Sequence, residues 1–279
     1  MLEKMESGIV RTPAGTPYKP SVLRGYRSNL TLHVLPELGG VRLNRLRRRD
    51  VQLLADRLVA SGMDASTVRN CFVPLPTVMW RAVDVGDIAV NPVSGVRLPA
   101  PEGTGDRIAT PAQAAQLIAA LRVDDQALWG TAFYAGLRLG ELRALRWSDV
   151  DVGEGVIRVE RAMDQKGAII PPKSKAGRRS VPIPKALRTL LAAHRLQRVG
   201  EGYVFGSTLT SPFTPTAVHR RARLRWDKVD ALKPLADFGL HEARHTFASI
   251  AIAAGVNAKG ITTYMATPAS RSHSTATAI

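Results

Sequence analysis

A segment rich in proline and glycine, PAPEGTGDRIATPAQ at residues 99–113, separates two stretches of the chain that follow different hydrophobic patterns. Before it, apolar residues recur at the three- and four-residue spacing of amphipathic helices. After it, helical patterns are interspersed with short runs in which apolar and polar residues alternate, as they do in strands. Because this segment interrupts both patterns, we predict an interdomain linker here and two domains in a chain of 279 residues.

The N-terminal part is predicted to consist of helices. The stretch KPSVLRGYRSNLTLHVLPEL is interpreted as one helix capped by Ser21, and RRRDVQLLADRLVASG as a second helix that stops at Gly62. A third, DASTVRNCFVPLPTVMWRAVDVG, is expected to be capped near Ser66 and to be kinked or split by Pro74 and Pro76, since each proline removes a backbone donor. The residues expected near one face of the first helix are Val22, Tyr26, Leu30 and Leu32.

The second part is predicted to mix helices with short strands. Helical spacing occurs in TPAQAAQLIAAL, ALWGTAFYAGL, LGELRALRW, TAVHRRARLRWDKV and LHEARHTFASIAIAAG. Alternation in VIRVER and RRSVPI predicts a small antiparallel sheet with a basic turn between its strands, and GYVFG is grouped with these strands. The predicted fold class is therefore mainly α with a small antiparallel β-sheet (α+β).

The charge of the chain indicates a polyanionic partner. Lys and Arg exceed Asp and Glu by 39 to 23, a net charge of +16, with +6 in residues 16–98 and +11 in residues 109–279. Such an excess favours nucleic acid, since neutralised phosphates release counterions. A ribosomal or membrane-surface protein could share this balance, so the charge names no reaction.

Other bulk features exclude several classes of protein. No apolar run is long enough to span a bilayer, and the N-terminus lacks the apolar centre of a signal peptide, so we expect a soluble, cytoplasmic protein without a membrane partner. The single Cys71 excludes an internal disulfide and a cysteine-based zinc site, and no metal or other cofactor is predicted.

Three separated stretches contain residues suited to phosphate chemistry. In AGLRLGELRALRW, Arg138 opens a helix beside small residues and could present its planar fork to a phosphate, although a surface arginine is the commoner case. In PPKSKAGRRSVPIP, a lysine could protonate a leaving oxygen, although such turns are usually solvated hairpin tips. In HEARHTFAS, His241 and Arg244 share a helix face, an arrangement that is more often structural.

In this order, the three stretches resemble those of the tyrosine recombinase family, which includes the phage integrases. The family's GLR-x-GE-L box stands at residues 136–142, and its H-x-x-R-H box at residues 241–245. The hairpin lysine of the family fits Lys173 best, with Lys175 as the alternative. The resemblance covers nearly the whole chain, and its specificity comes from three boxes at suitable separations.

The resemblance implies a reaction in which a tyrosine hydroxyl attacks a DNA phosphodiester, giving a phosphotyrosine link and a free 5′-hydroxyl without metal or ATP. Arg138 and Arg244 would hold the non-bridging oxygens, Lys173 would protonate the leaving oxygen, and His241 would assist proton transfer at the nucleophile. Glu141 would orient and pack rather than react.

The resemblance also implies the domains and partners. Residues 17–98 would form a helical core-binding domain and residues 109–265 the catalytic domain, joined by a linker at 99–108 and flanked by tails at 1–16 and 266–279. The expected partner is double-stranded DNA carrying an attachment-type site, clamped between the domains, with self-association on that DNA. The candidate DNA-binding residues are Arg24, Arg27, Arg69, Lys175, Arg178 and Arg179.

The last fourteen residues, ATPASRSHSTATAI, depart from the family pattern. Thr267 occupies the position of the family's second histidine, and Thr277 that of its nucleophilic tyrosine. Codons can be chosen for this tail such that one added G before them encodes GHSSIAITFDRYRH, which contains both missing residues at the family spacing. We therefore hypothesise a single-base deletion, which the nucleotide sequence would test, and expect no cleavage activity from the chain as it stands.

Two classes of function remain open from the sequence: an enzyme of DNA strand exchange, and a catalytically inactive DNA-binding remnant of an integrase, which the tail favours. A type IB topoisomerase has similar chemistry but lacks the helical core-binding domain. A general RNA-binding protein would explain the charge but not the three boxes. Tyr264 is not expected to substitute for the nucleophile, because it lies about a dozen residues too early in the chain.

Overall fold

The structure, a computed structural model, describes residues 1–12, 14–100, 107–171 and 177–265. The chain divides into two compact units, Met1–Thr104 and Gly105–Ile279, whose boundary lies inside the proline- and glycine-rich segment. Within the described ranges, none of the helices is both long enough and apolar enough to cross a membrane.

The regular structure described for the first unit is helical. Its elements are α1 (Leu2–Glu6), α2 (Pro20–Asn29), a π-helical turn (Leu30–Val34), α3 (Leu35–Leu38), a 3-10 turn (Leu43–Arg45), α4 (Arg48–Ala60), α5 (Ala65–Phe72) and α6 (Pro74–Asp84). Their core consists of Val34, Val51, Leu54, Ala55, Val68, Cys71, Phe72 and Leu75.

The face predicted for the first helix is correct only in part: Tyr26 and Leu30 are half-buried, and Leu30 packs against the core. Val22 and Leu32 are exposed, whereas Leu23 and Val34 are buried. The helical path changes from α-helical to π-helical at Leu30, and the wider turn shifts which later positions face the core. A single helical period applied through residues 19–38 therefore misplaces Leu32, whereas Val22 precedes the wider turn and is not explained by it.

Helix starts and the proline break also differ in detail from the sequence prediction. The first helix begins at Pro20 and has no side-chain cap, so Ser21 is not its cap. Asp64, rather than Ser66, caps α5, because its carboxylate accepts hydrogen bonds from the backbone N–H groups of the next turn. The expected split is confirmed: α5 ends at Phe72 and α6 begins with Pro74, a position where the missing donor costs nothing.

Residues 1–16, interpreted from the sequence as a tail, contain part of the folded unit. Leu2–Glu6 form α1, and its Met5 is buried. Glu6 accepts a hydrogen bond from Arg27 of α2 at 2.8 Å. The short helix is too weakly periodic to be recognised alone, and it is held by packing against α2.

In the described part of the second unit there are seven α-helices and two small sheets. The helices are α7 (Pro111–Ala119), α8 (Val123–Ala135), α9 (Leu139–Ala144), α10 (Lys185–Gln197), α11 (Pro215–Trp226), α12 (Leu240–Ala253) and α13 (Ala258–Met265), with 3-10 turns at Trp147–Asp149 and Asp230–Leu235. The strands are β1 (Val150–Asp151), β2 (Val156–Val159), β3 (Ala162–Met163), β4 (Ile169–Ile170) and β5 (Arg179–Pro182).

The three-stranded sheet has the order β1-β2-β5 and is antiparallel throughout. Ile157 faces Val181 across β2 and β5, and both are buried. The chain between them also forms the separate β3–β4 pair, so these strands are not joined by a simple hairpin. The stretch GYVFG makes isolated bridges rather than a strand. The predicted class, mainly α with small antiparallel sheets, is confirmed.

Helix α8 lies at the centre of the second unit. It packs against α10 and α12 and places Trp129 and Phe133 in the core. The ring of Trp129 meets that of Trp226 edge to face, with centroids 4.8 Å apart. Gly136 then ends α8 in the left-handed conformation (φ 61°), and it lies directly against the Phe247 ring of α12. At this turn the end of α8 lies against α12.

Candidate active site

The site begins where α8 ends and α9 starts. Arg138 is the N-cap residue of α9, and its backbone N–H donates to Oε2 of Glu141 at 2.8 Å. Its Nη1 donates to Oε1 of the same carboxylate at 3.1 Å. The Arg138 side chain is 36% exposed, whereas that of Glu141 is 4% exposed. The carboxylate therefore fixes an arginine that still reaches the surface.

A second arginine binds the same buried carboxylate. Arg179 of β5 donates from Nη1 and Nη2 to the two oxygens of Glu141, at 3.0 and 2.9 Å. It also donates to the backbone oxygens of Gly177, at 3.2 Å, and of Tyr264. Its side chain is 3% exposed. The prediction that Arg179 contacts DNA is therefore wrong, because its donors are used inside the protein and little of it meets solvent.

Glu141 is held ionised by its two arginines. Burial alone would raise the pKa of Glu141, but the hydrogen bonds and charge of Arg179, followed by those of Arg138, outweigh it and hold the pKa below its ordinary value. Two guanidinium groups thus share one carboxylate, which leaves this cluster cationic.

Arg244 of α12 is a third arginine of the same region, and it is buried. Its Nη1 donates to the backbone oxygen of Gly136 and its Nη2 to that of Met265. Burial, and then the nearby positive charge of Arg138, lower the pKa of Arg244 to about 10. Arg244 therefore stays protonated at neutral pH, in a position where a further negative charge would stabilise it.

The C-terminal end of α13 is bound to this cluster. The backbone oxygens of Tyr264 and Met265 accept hydrogen bonds from Arg179 and Arg244, respectively. These carbonyls belong to the last turn of the helix, which has no intrahelical donors to satisfy them. The side chain of Tyr264 packs with the small apolar cluster that contains Phe247 and Ile261. Arg179 and Arg244 thus hold the C-terminal end of α13 at the arginine cluster.

Two histidines of α12 lie in contact beside the arginines. Nε2 of His241 is 3.0 Å from Nε2 of His245, and the rings are nearly perpendicular. One nitrogen must donate and the other accept, so this contact requires at least one of the rings to be neutral. The sequence predicted a role for His241 but none for His245, although the four-residue spacing on a helix could have paired them.

The remaining predicted residues fall into two groups. Arg27, Arg69 and Arg178 are exposed and Arg24 is half-buried; Arg178 lies 3.9 Å from Glu160, and Arg69 donates to the backbone oxygen of Pro99 at 3.3 Å. Outside the described residues lie Lys173, Lys175, Thr267 and Thr277. Across the described ranges, no group of three or more His, Cys, Asp or Glu residues could hold a metal ion.

Comparison with known proteins agrees with this arrangement. The model of the phage integrase family matches residues 107–268. A "tyrosine recombinase XerC-like" protein of Caldanaerobacter subterraneus subsp. tengcongensis is 26% identical over 277 residues, covering 87% of this chain and 70% of the relative. The "prophage integrase IntR" of Escherichia coli is 28% identical over 225 residues, and the match spans 73% of this chain and 55% of that relative.

Solved integrase structures share the fold. The Tn1549 transposon integrase in complex with a circular intermediate DNA superposes with a TM-score of 0.80 at 18% identity, covering 96% of this chain and 91% of that one. A lambda integrase dimer bound to a COC' core site gives 0.70 at 17% identity, covering 96% and 93%. Since the family model covers more than half of the chain and both boxes lie within it, the chain belongs to the phage integrase family, the site-specific tyrosine recombinases.

Proposed function

We propose that this chain binds duplex DNA at an attachment-type site and holds one backbone phosphate at the partly exposed Arg138, beside which the buried Arg244 lies. The observation that carries the proposal is the charge of this cluster. Arg138 and Arg179 share one buried carboxylate, and Arg244 lies close enough that burial first, and then the charge of Arg138, lower its pKa. A phosphate diester would supply the missing negative charge.

Each arginine has a different task in this proposal. Arg138 is partly exposed and would contact a non-bridging oxygen directly, with its orientation fixed by Glu141. Arg244 is 5% exposed and donates to two backbone carbonyls, so in this proposal it reaches the other oxygen by exchanging one of these neutral partners for the phosphate. Arg179 differs because its partner is a carboxylate, which a phosphate would not displace. Arg179 is a positioning residue, because it acts through Glu141.

The chemistry that the family performs also needs groups that transfer protons. His241 lies exposed at the start of α12 and would assist proton transfer at the attacking hydroxyl, with Lys173 protonating the 5′ oxygen that leaves. The chain has Thr277 at the expected nucleophile position and Thr267 at the second histidine position. We propose that it therefore binds without cutting, as an inactive remnant whose intact counterpart is a site-specific integrase.

The helical first unit is proposed to be the core-binding domain, since it carries net positive charge and its described elements are helical. Self-association on DNA is part of the proposal as well. The support is that the lambda integrase in the similar structure is a dimer bound to a core site.

The test is covalent capture on a nicked suicide duplex. The chain as given should leave no denaturant-stable protein–DNA adduct, whereas a version with residues 266–279 replaced by GHSSIAITFDRYRH should form one. The matched control carries the same replacement tail with Phe instead of Tyr at position 277, and should form none. An adduct with the original chain would contradict the proposed loss of activity and would make Tyr264 the next residue to replace.

Binding is tested separately by fluorescence anisotropy on a labelled duplex. The chain as given should bind, and its affinity should fall steeply as salt rises, because several phosphates are neutralised. Affinity that did not change with salt would refute DNA binding through the basic residues.

A further inference from the structure

The first unit contains a concave cluster of arginines that the proposed catalytic surface does not use. It lies at the N-terminus of α4, where three arginines follow one another, and at the segment that precedes Pro99. The cluster, which we name the arginine pocket, is open to solvent, has a volume of about 610 Å³ and is lined by Arg47, Arg48, Arg49, Gln52, Gly95 and Arg97.

A pair of hydrogen bonds holds the two sides of the arginine pocket together. Nε2 of Gln52 donates to the backbone oxygen of Arg97 at 3.0 Å, and the backbone N–H of Arg97 donates back to Oε1 of Gln52 at 2.8 Å. Gln52 thereby fixes Arg97 beside the first turn of α4, although 45 positions separate them in the chain. The juxtaposition is built into the fold and does not depend on flexible side chains meeting by chance.

Gly95 shapes the wall opposite α4. Its φ of 75° is left-handed, and a Cβ there would stand 3.2 Å from Nη1 of Arg48. The absence of a side chain therefore leaves the space in which the Arg48 guanidinium lies.

The charge of the arginine pocket is poorly balanced. Two carboxylates contact its lining residues. Asp50 accepts from the backbone N–H of Arg47 at 2.9 Å and lies 3.6 Å from Nε of Arg49, and Asp56 accepts from Nε2 of Gln52 at 2.8 Å. Arg48 and Arg97 have no ion pair within the described part of the chain. By contrast, Arg57 at the other end of α4 pairs with Glu37 at 2.7 Å.

A ligand for this surface must carry anionic oxygens at more than one point. All four arginines are exposed, and their planar forks bind phosphate oxygens in pairs. The backbone N–H groups at the start of α4 add partial positive charge. A nucleic-acid backbone presents phosphates in a row and fits this spread of cations.

We propose that the arginine pocket binds the phosphate backbone of duplex DNA and sets the register of the first unit on it. The inference rests on the proposed function, because it assumes that the chain binds a duplex. It adds a site distinct from Arg24, Arg27 and Arg69, the residues of this unit that the sequence marks for DNA contact. Arg48 and Arg97 contribute most, since no carboxylate of the described residues neutralises them.

The experiment measures the salt dependence of duplex binding by the full chain, with Arg48→Gln, Arg97→Gln and the double variant. Removing one arginine–phosphate contact should lower the slope of log affinity against log salt by about 0.9. The double variant removes two such contacts. When the salt concentration rises fourfold, its loss of affinity should therefore be about twelve times smaller than the loss shown by the parent chain. The Arg48→Lys variant keeps the charge and should keep most of the slope.

The matched control is Arg57→Gln, which removes the same charge from the same helix. Its slope should stay that of the parent chain, because Arg57 is already paired with Glu37. Circular dichroism of every variant checks that the exposed substitutions leave the helices intact.

The outcomes separate the two proposals. If the parent chain binds with a steep salt dependence but the double variant matches Arg57→Gln, the arginine pocket is refuted while the proposed function stands. If the parent chain does not bind duplex DNA, the proposed function fails and this inference with it. A lower slope in the double variant but not in the control supports the arginine pocket.

Discussion

Replacing Arg179 with alanine should destabilise the second unit strongly, although the residue lies outside the two boxes at residues 136–142 and 241–245. The substitution removes both hydrogen bonds of 3.0 and 2.9 Å to Glu141, and it leaves that carboxylate buried. Breaking a buried pair by removing one partner costs about 3–5 kcal/mol. Glu141 keeps its hydrogen bonds with Arg138 at 2.8 and 3.1 Å, so the cost of breaking the pair belongs at the lower end of that range.

The same substitution also frees the end of α13. The backbone oxygen of Tyr264 is left without its donor from Arg179. An unpaired buried carbonyl costs about 1–3 kcal/mol, and because Tyr264 is only half-buried its cost belongs at the lower end of that range. The expected total is about 4 kcal/mol, a large share of the roughly 5–15 kcal/mol that stabilises a typical domain. Amide hydrogen exchange should show α13 losing protection before the rest of the unit.

Urea unfolding measures the decrease in stability, with tryptophan emission as the signal. Trp129, Trp147 and Trp226 all lie buried in the second unit, so the emission reports mainly on that unit. The matched control is Arg158→Ala, because Arg158 pairs with Asp151 at 3.4 Å on the surface and should cost no more than about 1 kcal/mol. Equal effects of the two substitutions would refute the view that Glu141 depends on Arg179.

Two further predictions concern the same turn. The stability that depends on ionised Glu141 is fully present above its unfolded pKa of about 4.3 and is lost as pH falls through its lower folded pKa. The difference in unfolding free energy between the parent chain and Glu141→Gln, measured with urea, should therefore shrink as pH falls through that window. A difference that stayed constant would contradict this prediction. Gly136→Ala should lower stability more than Gly86→Ala. Both glycines are left-handed, with φ values of 61° and 81°, and the backbone strain alone is about 1–3 kcal/mol, but only at Gly136 would the new Cβ collide with a ring, that of Phe247. Equal losses of stability in urea unfolding would show that the ring moves aside freely.

Part of the site follows from local sequence. Arg138 and Glu141 are three residues apart at a helix start, where a side chain reaches back to the cap residue, and the structure has both hydrogen bonds between them. His241 and Arg244 likewise share α12 through their spacing. These relations involve one turn of helix, so the sequence suffices to predict them.

The burial of Arg179 shows where one sequence signal competed with another. Alternation in β5 gives Arg179 the same side as the buried Val181, and this pattern indicates an inward residue. Charge indicated the opposite, because arginine is seldom buried without a partner. The partner is Glu141, 38 positions earlier, and no local spacing connects the two.

The sequence by itself determined the two-part organisation, most of the helices and the boxes that give the family, since these depend on periodicity, on proline and glycine, and on residues close in the chain. The tertiary structure decided that Val34 rather than Leu32 is buried, how Gln52 fixes Arg97, and how Arg179 and Arg244 hold the end of α13. Each of these joins residues that are distant in sequence or follows from a change in helical pitch. Their energies come from burial and pairing, which exist only once the elements have packed.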